Sequence, residues 1–86
     1  MTGETWRIRM LQELQPIFRE LFGDEGLVIS QTTSAADIEE WDSMAHVNLL
    51  IEIEKRFGVR FTAQEMGSTT DVSTLLDILH RNQAHA

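Results

Sequence analysis

Cysteine is absent from this 86-residue chain. Its absence excludes disulfides, thiolate nucleophiles and cysteine-based metal sites, and makes a reducing cytoplasm the expected compartment. Basic residues are scarce as well: seven Lys and Arg stand against fourteen Asp and Glu, for a formal charge of -7. Such a field repels nucleic acid and anionic membranes and favours encounter with partners that carry basic patches. No apolar run reaches membrane-spanning length, and residues 1–10 lack the continuous hydrophobic segment of a secretory signal. Proline occurs once, at Pro16, and there is no internal repeat or low-complexity segment. The 42% of apolar residues is enough for one hydrophobic core. A single domain is expected over 1–86, with fraying near 1–4 and 82–86. So short a chain has little room to enclose a substrate and keep a core, which argues against autonomous catalysis.

Met10, Leu11, Leu14, Ile17, Phe18, Leu21 and Phe22 recur at three- and four-residue spacings and predict an amphipathic helix over Trp6–Phe22. Pro16 either kinks it or opens a second segment; the unbroken apolar stripe favours one bent element, with Gly23 as its stop. From Asp24 to Trp41 no period is sustained. Leu27-Val28-Ile29 has no second strand to pair with, so this stretch reads as a long loop folding its apolar residues over the helices, with a short helical turn around Ser34–Ile38. The second helix is predicted to begin at Asp42 or Ser43 and to end at Phe57, before Gly58. On it Met44, Val47, Leu50 and Ile51 form one broad apolar side, extended by Leu49, Ile53 and Phe57, and Ala45, Asn48, Glu52, Lys55 and Arg56 take the opposite arc. Thr62 and Glu65 fit a capping box that opens a short third helix ending near Gly67. Asp71 caps the last helix, where Val72, Leu75, Leu76, Ile78 and Leu79 point inward and Arg81 lies near the end that favours positive charge. The predicted class is all-α: three principal helices, one short third helix and a long first loop.

Glu39-Glu40-Trp41-Asp42-Ser43-Met44 lies where the long loop meets the central helix. Asp42 can cap free backbone N–H groups, and the amides of the first turn can stabilise an anion placed on Ser43. A serine at a helix start is by itself an ordinary cap or surface residue, and its surroundings change that reading. Asp42-Ser43-Met44, followed by Val47, Leu50, Glu52-Ile53-Glu54 and Phe57-Gly58-Val59, resembles the phosphopantetheine attachment region of acyl carrier proteins, whose usual pattern is Asp-Ser-Leu at the start of the second helix. The resemblance extends over Trp6–Leu79 in helix order and loop length. It implies an acyl-carrier-like four-helix bundle in which a separate phosphopantetheinyl transferase joins 4'-phosphopantetheine, taken from coenzyme A, to the Ser43 hydroxyl, with Asp42 and Met44 flanking and presenting it. The arm's thiol then holds cargo as a thioester, chemistry that belongs to the cofactor. The expected function is that of a stand-alone, monomeric, cytoplasmic phosphoprotein with no catalytic or metal-binding residues. It would shuttle acyl intermediates between cargo-loading and cargo-consuming enzymes of a specialised lipid, fatty acid or polyketide pathway. An aminoacyl, peptidyl or D-alanyl carrier is the alternative.

Asp37, Glu39, Glu40, Asp42, Glu52 and Glu54 fall between positions 37 and 54 with no Lys or Arg among them, so negative potential gathers around Ser43. The expected partner surface comprises Glu39, Glu40, Trp41, Ala45, Asn48, Glu52 and Lys55. Trp41 either covers the loop–helix junction or shapes a contact beside the arm. Ala45, Asn48 and Lys55 stand where carriers of fatty acid synthesis commonly present carboxylates, which implies a specialised partner set. Met44 replaces the usual Leu at similar volume. Leu27, Val28, Leu50, Ile53, Met66 and Leu75 either border a space for an aliphatic chain or form plain core. His46 is expected to be partly buried or on the surface without pairing with Ser43, and His80 and His85 do not suggest a metal site. Two non-carrier readings explain less. A helical protein-interaction module accounts for size and acidity but not for the placement of Asp42-Ser43-Met44, and a small isomerase or hydrolase using His46 needs a second positioned polar group that the sequence does not display.

Overall fold

The computed structural model describes residues 5–84. Four helices follow one another: α1 (Thr5–Phe22), α2 (Ser43–Phe57), α3 (Ala63–Ser68) and α4 (Val72–Ala84), with a 3-10 turn at Ala35–Asp37 in the long loop. Among the described residues there is no β-strand, only an isolated bridge between Ser34 and Asp71. The all-α class and the order of elements agree with the sequence reading. The fraying expected at 1–4 and at 85–86 lies outside the described residues. Residues 82–84 continue α4, and the Asn82 Nδ2 amide donates to the Arg60 carbonyl at 2.9 Å and to Glu65 Oε1 at 3.2 Å.

α1 runs through Pro16 as one element and buries Met10, Leu14, Ile17 and Phe18, spaced to lie on one side. It packs against α2 and α4, and α3 rests against α4. Polar side chains of α1 hold the loop that follows. Gln15 Nε2 and Arg19 Nε donate to the Leu27 carbonyl at 2.8 and 2.7 Å, and Gln15 Oε1 accepts from the Ile29 N–H at 3.0 Å. The non-helical backbone between Leu27 and Ile29 alternates its side chains. Ile29 is buried and Leu27 packs on the core, whereas Val28 between them is 72% exposed. Val28 therefore borders no space for cargo. Further along, the Ala35 N–H donates to the Thr70 carbonyl and the Val72 N–H to the Thr33 carbonyl, both at 2.8 Å, tying the loop to the turn between α3 and α4. Arg7 binds the same assembly from the start of α1, donating to Gln31 Oε1 at 2.7 Å and Ser73 Oγ at 2.9 Å and pairing with Asp77.

Each later helix is bounded as its sequence dictates. Gly58 closes α2 in the left-handed conformation (φ 67°, ψ 36°), its N–H donating to the Glu54 carbonyl at 2.9 Å. A Cβ there would meet no neighbour within 4 Å, so a side chain at this position costs backbone strain alone. Gly58→Ala is expected to lower stability by about 1 kcal/mol. Gly67→Ala, inside α3 and equally free of neighbours, should raise it by about 0.5 kcal/mol. Chemical denaturation of both variants checks the opposite signs.

α3 opens with a reciprocal capping box: Thr62 Oγ1 accepts from the Glu65 N–H at 3.1 Å, and Glu65 Oε1 accepts from the Thr62 N–H at 2.9 Å. Glu65 Oε2 also accepts from Arg81 Nη2 at 2.8 Å, so one carboxylate joins α3 to the end of α4. The Thr62 amide is the largest influence on the Glu65 carboxyl; burial opposes it, and Arg81 and then Asn82 add to it, so that the group is held below its ordinary range. A carboxylate whose folded pKa is depressed contributes its full stability above its unfolded pKa and loses it as pH falls through the folded value. Glu65→Gln should therefore destabilise most at neutral pH, with the deficit against wild type shrinking as pH drops below the usual carboxylate range; denaturation at a series of pH values reads this directly.

Candidate functional site

Asp42 ends the loop in an extended conformation and starts α2. Its Oδ1 accepts from the Ala45 N–H at 2.9 Å and its carbonyl from the His46 N–H at 2.8 Å. This cap fixes Ser43 as the first residue of α2, exposed to solvent. Glu39 and Glu40 are exposed just before it. Ala45 is half-buried and Asn48 exposed, while Glu52 lies 3.7 Å from both Lys55 and Arg56 in ion pairs at the surface.

The apolar side of α2 differs from the one its periodicity suggests. His46, Leu49, Leu50 and Ile53 face inward. Met44 is 75% exposed, and Val47 and Ile51 are exposed with it, so three apolar side chains at i, i+3 and i+7 form an uncovered stripe leading away from Ser43. Hydrophobic content alone merged this stripe with its neighbour. Exposed apolar side chains grouped in one strip are available for contact.

Trp41 is not part of that surface. It is only 4% exposed, with its ring edge-on to Phe18 at 5.4 Å, so it covers the loop–helix junction and cannot present a partner contact. A buried indole N–H needs an acceptor, and the Trp41 Nε1–H donates to His46 Nδ1 at 2.9 Å. Indole nitrogen is a donor only, so His46 Nδ1 carries no proton and the neutral ring is protonated at Nε2. That Nε2–H donates to the Met66 carbonyl at 2.7 Å, with Thr69 Oγ1 at 3.0 Å; the Thr69 hydroxyl itself donates to the Met66 carbonyl at 3.2 Å. His46, 9% exposed, thus bridges the loop, α2 and α3. The expectation of a partly buried or surface histidine understated it. Its spacing to Leu49, Leu50 and Ile53 was the signal that places it inward.

An open groove of about 510 Å³ lies beside Ser43, lined by Ala35, Trp41, Ser43, His46, Val47, Met66, Gly67 and Thr70. Of the six residues considered for a cargo space, only Met66 borders it. Leu50, Ile53 and Leu75 are fully buried in the core, Leu27 packs on that core, and Val28 faces solvent. His80 stacks on Trp6 at 3.8 Å, and His85 lies outside the described residues. Among the described residues there is no group of three or more His, Asp or Glu side chains that would hold a metal ion. No helix of the described residues is long and apolar enough to cross a membrane.

No protein-family model matches the sequence, and no curated protein sequence matches it. Among solved structures, the chain is similar to the solution NMR structure of a holo acyl carrier protein from Geobacter metallireducens. The two are 36% identical over 87% of this chain and 86% of that one, with a TM-score of 0.81. The chain belongs to the acyl carrier protein family. Membership gives it a carrier role. Within this acyl carrier fold, the Trp41–His46–Met66 connection predicts a specific spectrum. Long-range 1H–15N correlations of His46 should show Nδ1 unprotonated and Nε2 protonated at neutral pH, and the reverse tautomer would contradict the hydrogen-bond assignment.

Proposed function

We propose that Ser43 carries a 4'-phosphopantetheine arm, added from coenzyme A by a separate transferase, and that the protein delivers thioester-bound acyl intermediates to successive enzymes. The observation that carries this reading is the exposed Ser43 hydroxyl on the first turn of a capped helix, next to the Met44-Val47-Ile51 stripe. The residues fit such a group. The amides of the first turn lack intrahelical acceptors and, with the helix dipole, favour a phosphodiester at Ser43 by about 0.3–1 kcal/mol. Asp42 holds that turn formed through Ala45, so its carboxylate is engaged with the backbone while the hydroxyl stays accessible. When bound, the arm supplies the thiol that this cysteine-free chain lacks.

The chain's own part is position and recognition. Exposed Asp37, Glu39, Glu40 and Asp42 steer enzymes with basic rims, and Met44, Val47 and Ile51 give them an apolar strip to cover. Ala45 and Asn48, neutral on the same helix, and Lys55, paired with Glu52, favour a partner set suited to a specialised lipid or polyketide pathway in the cytoplasm. The helices are read as one carrier domain.

Incubating the apo protein with coenzyme A and a broad-specificity phosphopantetheinyl transferase, then weighing it intact, tests the attachment. Wild type should gain one phosphopantetheinyl group and Ser43→Ala none. A folded wild type left unchanged by a transferase that modifies a control carrier would refute the reading. Charging of the holo form by an adenylation enzyme, with acyl-loading enzymes inactive on it, would replace the acyl cargo by an aminoacyl one.

A further inference from the structure

The seam between α2 and α3 next to Ser43 is closed by hydrogen bonds instead of apolar packing alone. On the inward face of α2, His46 comes first after Ser43, followed one turn on by Leu49 and Leu50 and then by Ile53. His46 and Trp41 both line the groove, and the residues behind them are fully buried. Anything hanging from Ser43 that is to enter the core between these helices must displace the imidazole or the indole.

We infer that Trp41, His46 and Thr69, with the Met66 carbonyl, form a latch that keeps an aliphatic cargo out of the core, so that cargo carried on Ser43 lies in the open groove. The inference rests on the attachment proposed above and narrows its cargo to short, branched or polar acyl groups, as opposed to long saturated chains.

Both ring nitrogens of His46 are committed, Nδ1 to Trp41 and Nε2 to Met66 and Thr69. Parting α2 from α3 breaks the bonds of His46 Nε2 to Met66 and Thr69, while Trp41 stays bonded to His46 and Thr69 to Met66, so the imidazole N–H is left in buried surroundings where an aliphatic chain offers it no partner. The latch is also braced from behind. Trp41 packs edge-on against Phe18 of α1, and Thr69 is fully buried, so neither can swing aside without disturbing the core. Among the described residues, no buried side-chain nitrogen or oxygen lacks a hydrogen-bond partner, so the closed arrangement has nothing to gain by opening toward a hydrocarbon. Ala35, Val47 and Met66 give the groove apolar walls that a short acyl group can cover, and the indole and imidazole form a floor that stops it.

The test loads wild type at Ser43 with butanoyl, octanoyl and dodecanoyl phosphopantetheine, confirms each product by intact mass, and compares 13C-methyl spectra. The expected result is that the Ala35, Val47 and Met66 methyls shift in every loaded form, while those of Leu50, Ile53 and Leu75 keep their positions whatever the chain length. Chain-length-dependent shifts at Leu50, Ile53 and Leu75, with nuclear Overhauser contacts from chain methylenes, would overturn the latch and leave the attachment intact. A wild type that takes up no acyl group overturns both. In His46→Leu, and in the shape-preserving Thr69→Val should the first fail to fold, the octanoyl form should shift the core methyls that it leaves untouched in wild type. Core methyls unmoved by octanoyl in the folded variant would show that the latch does not set the boundary.

Discussion

The 2.9 Å hydrogen bond from the Trp41 indole to His46 Nδ1 is the connection on which the rest of the site depends. It joins the last turn of a long loop to the first turns of α2, inside the core, where a missed bond would leave a donor without an acceptor. Because the indole can only donate, it fixes the tautomer of His46 and so points the opposite ring nitrogen, protonated, at α3. One residue pair thereby sets the distance between the loop end that delivers Asp42 and Ser43 and the short helix that forms the far wall of the groove.

The loop reaches that position through polar contacts made by otherwise unremarkable helix residues. Gln15 and Arg19 of α1 take up the backbone around Leu27 and Ile29, and the turn between α3 and α4 takes up Thr33 and Ala35. A segment without helix or sheet must find such partners for its N–H and C=O groups, and here both ends of it do. The loop is thus held at each end to the helices, and its final residues are positioned accurately enough for Asp42 to cap α2.

Much of this was legible in the sequence where the physics is local. The Asp42 cap, the left-handed Gly58, the Thr62–Glu65 box and the boundaries of α2 and α3 depend on residues within four positions of one another, and each stands where its residue types predict. What the sequence misled on is non-local or functional. The partner of the Trp41 indole and the α3 carbonyl facing His46 come together only in the folded chain, so the sequence left open whether Trp41 covers the loop–helix junction or shapes a partner contact. Met44, Val47 and Ile51 misled for a different reason: hydrophobic periodicity assumes that apolar residues are covered, and these three are not. Val28 failed on the smaller scale of a single alternation in a non-helical stretch.

That failure of periodicity itself bears on how a carrier works. A chain of charge -7 that leaves three apolar side chains uncovered in one stripe has separated two tasks that a permanent interface would merge. Charge acts over roughly a Debye length of 8–10 Å and, under the proposed function, would set how often enzymes arrive, whereas the apolar strip acts at contact and would set how long they stay. Three side chains on one helix form too small a patch for a lasting complex, which a protein that must leave one enzyme for the next has reason to avoid. The inward neighbours of the stripe, His46 and Trp41, are meanwhile held by hydrogen bonds, so a partner docking on Met44, Val47 and Ile51 as proposed would meet a braced wall. A helix whose outer stripe is free and whose inner stripe is fixed would therefore, under the proposed function, present Ser43 in the same geometry to every partner.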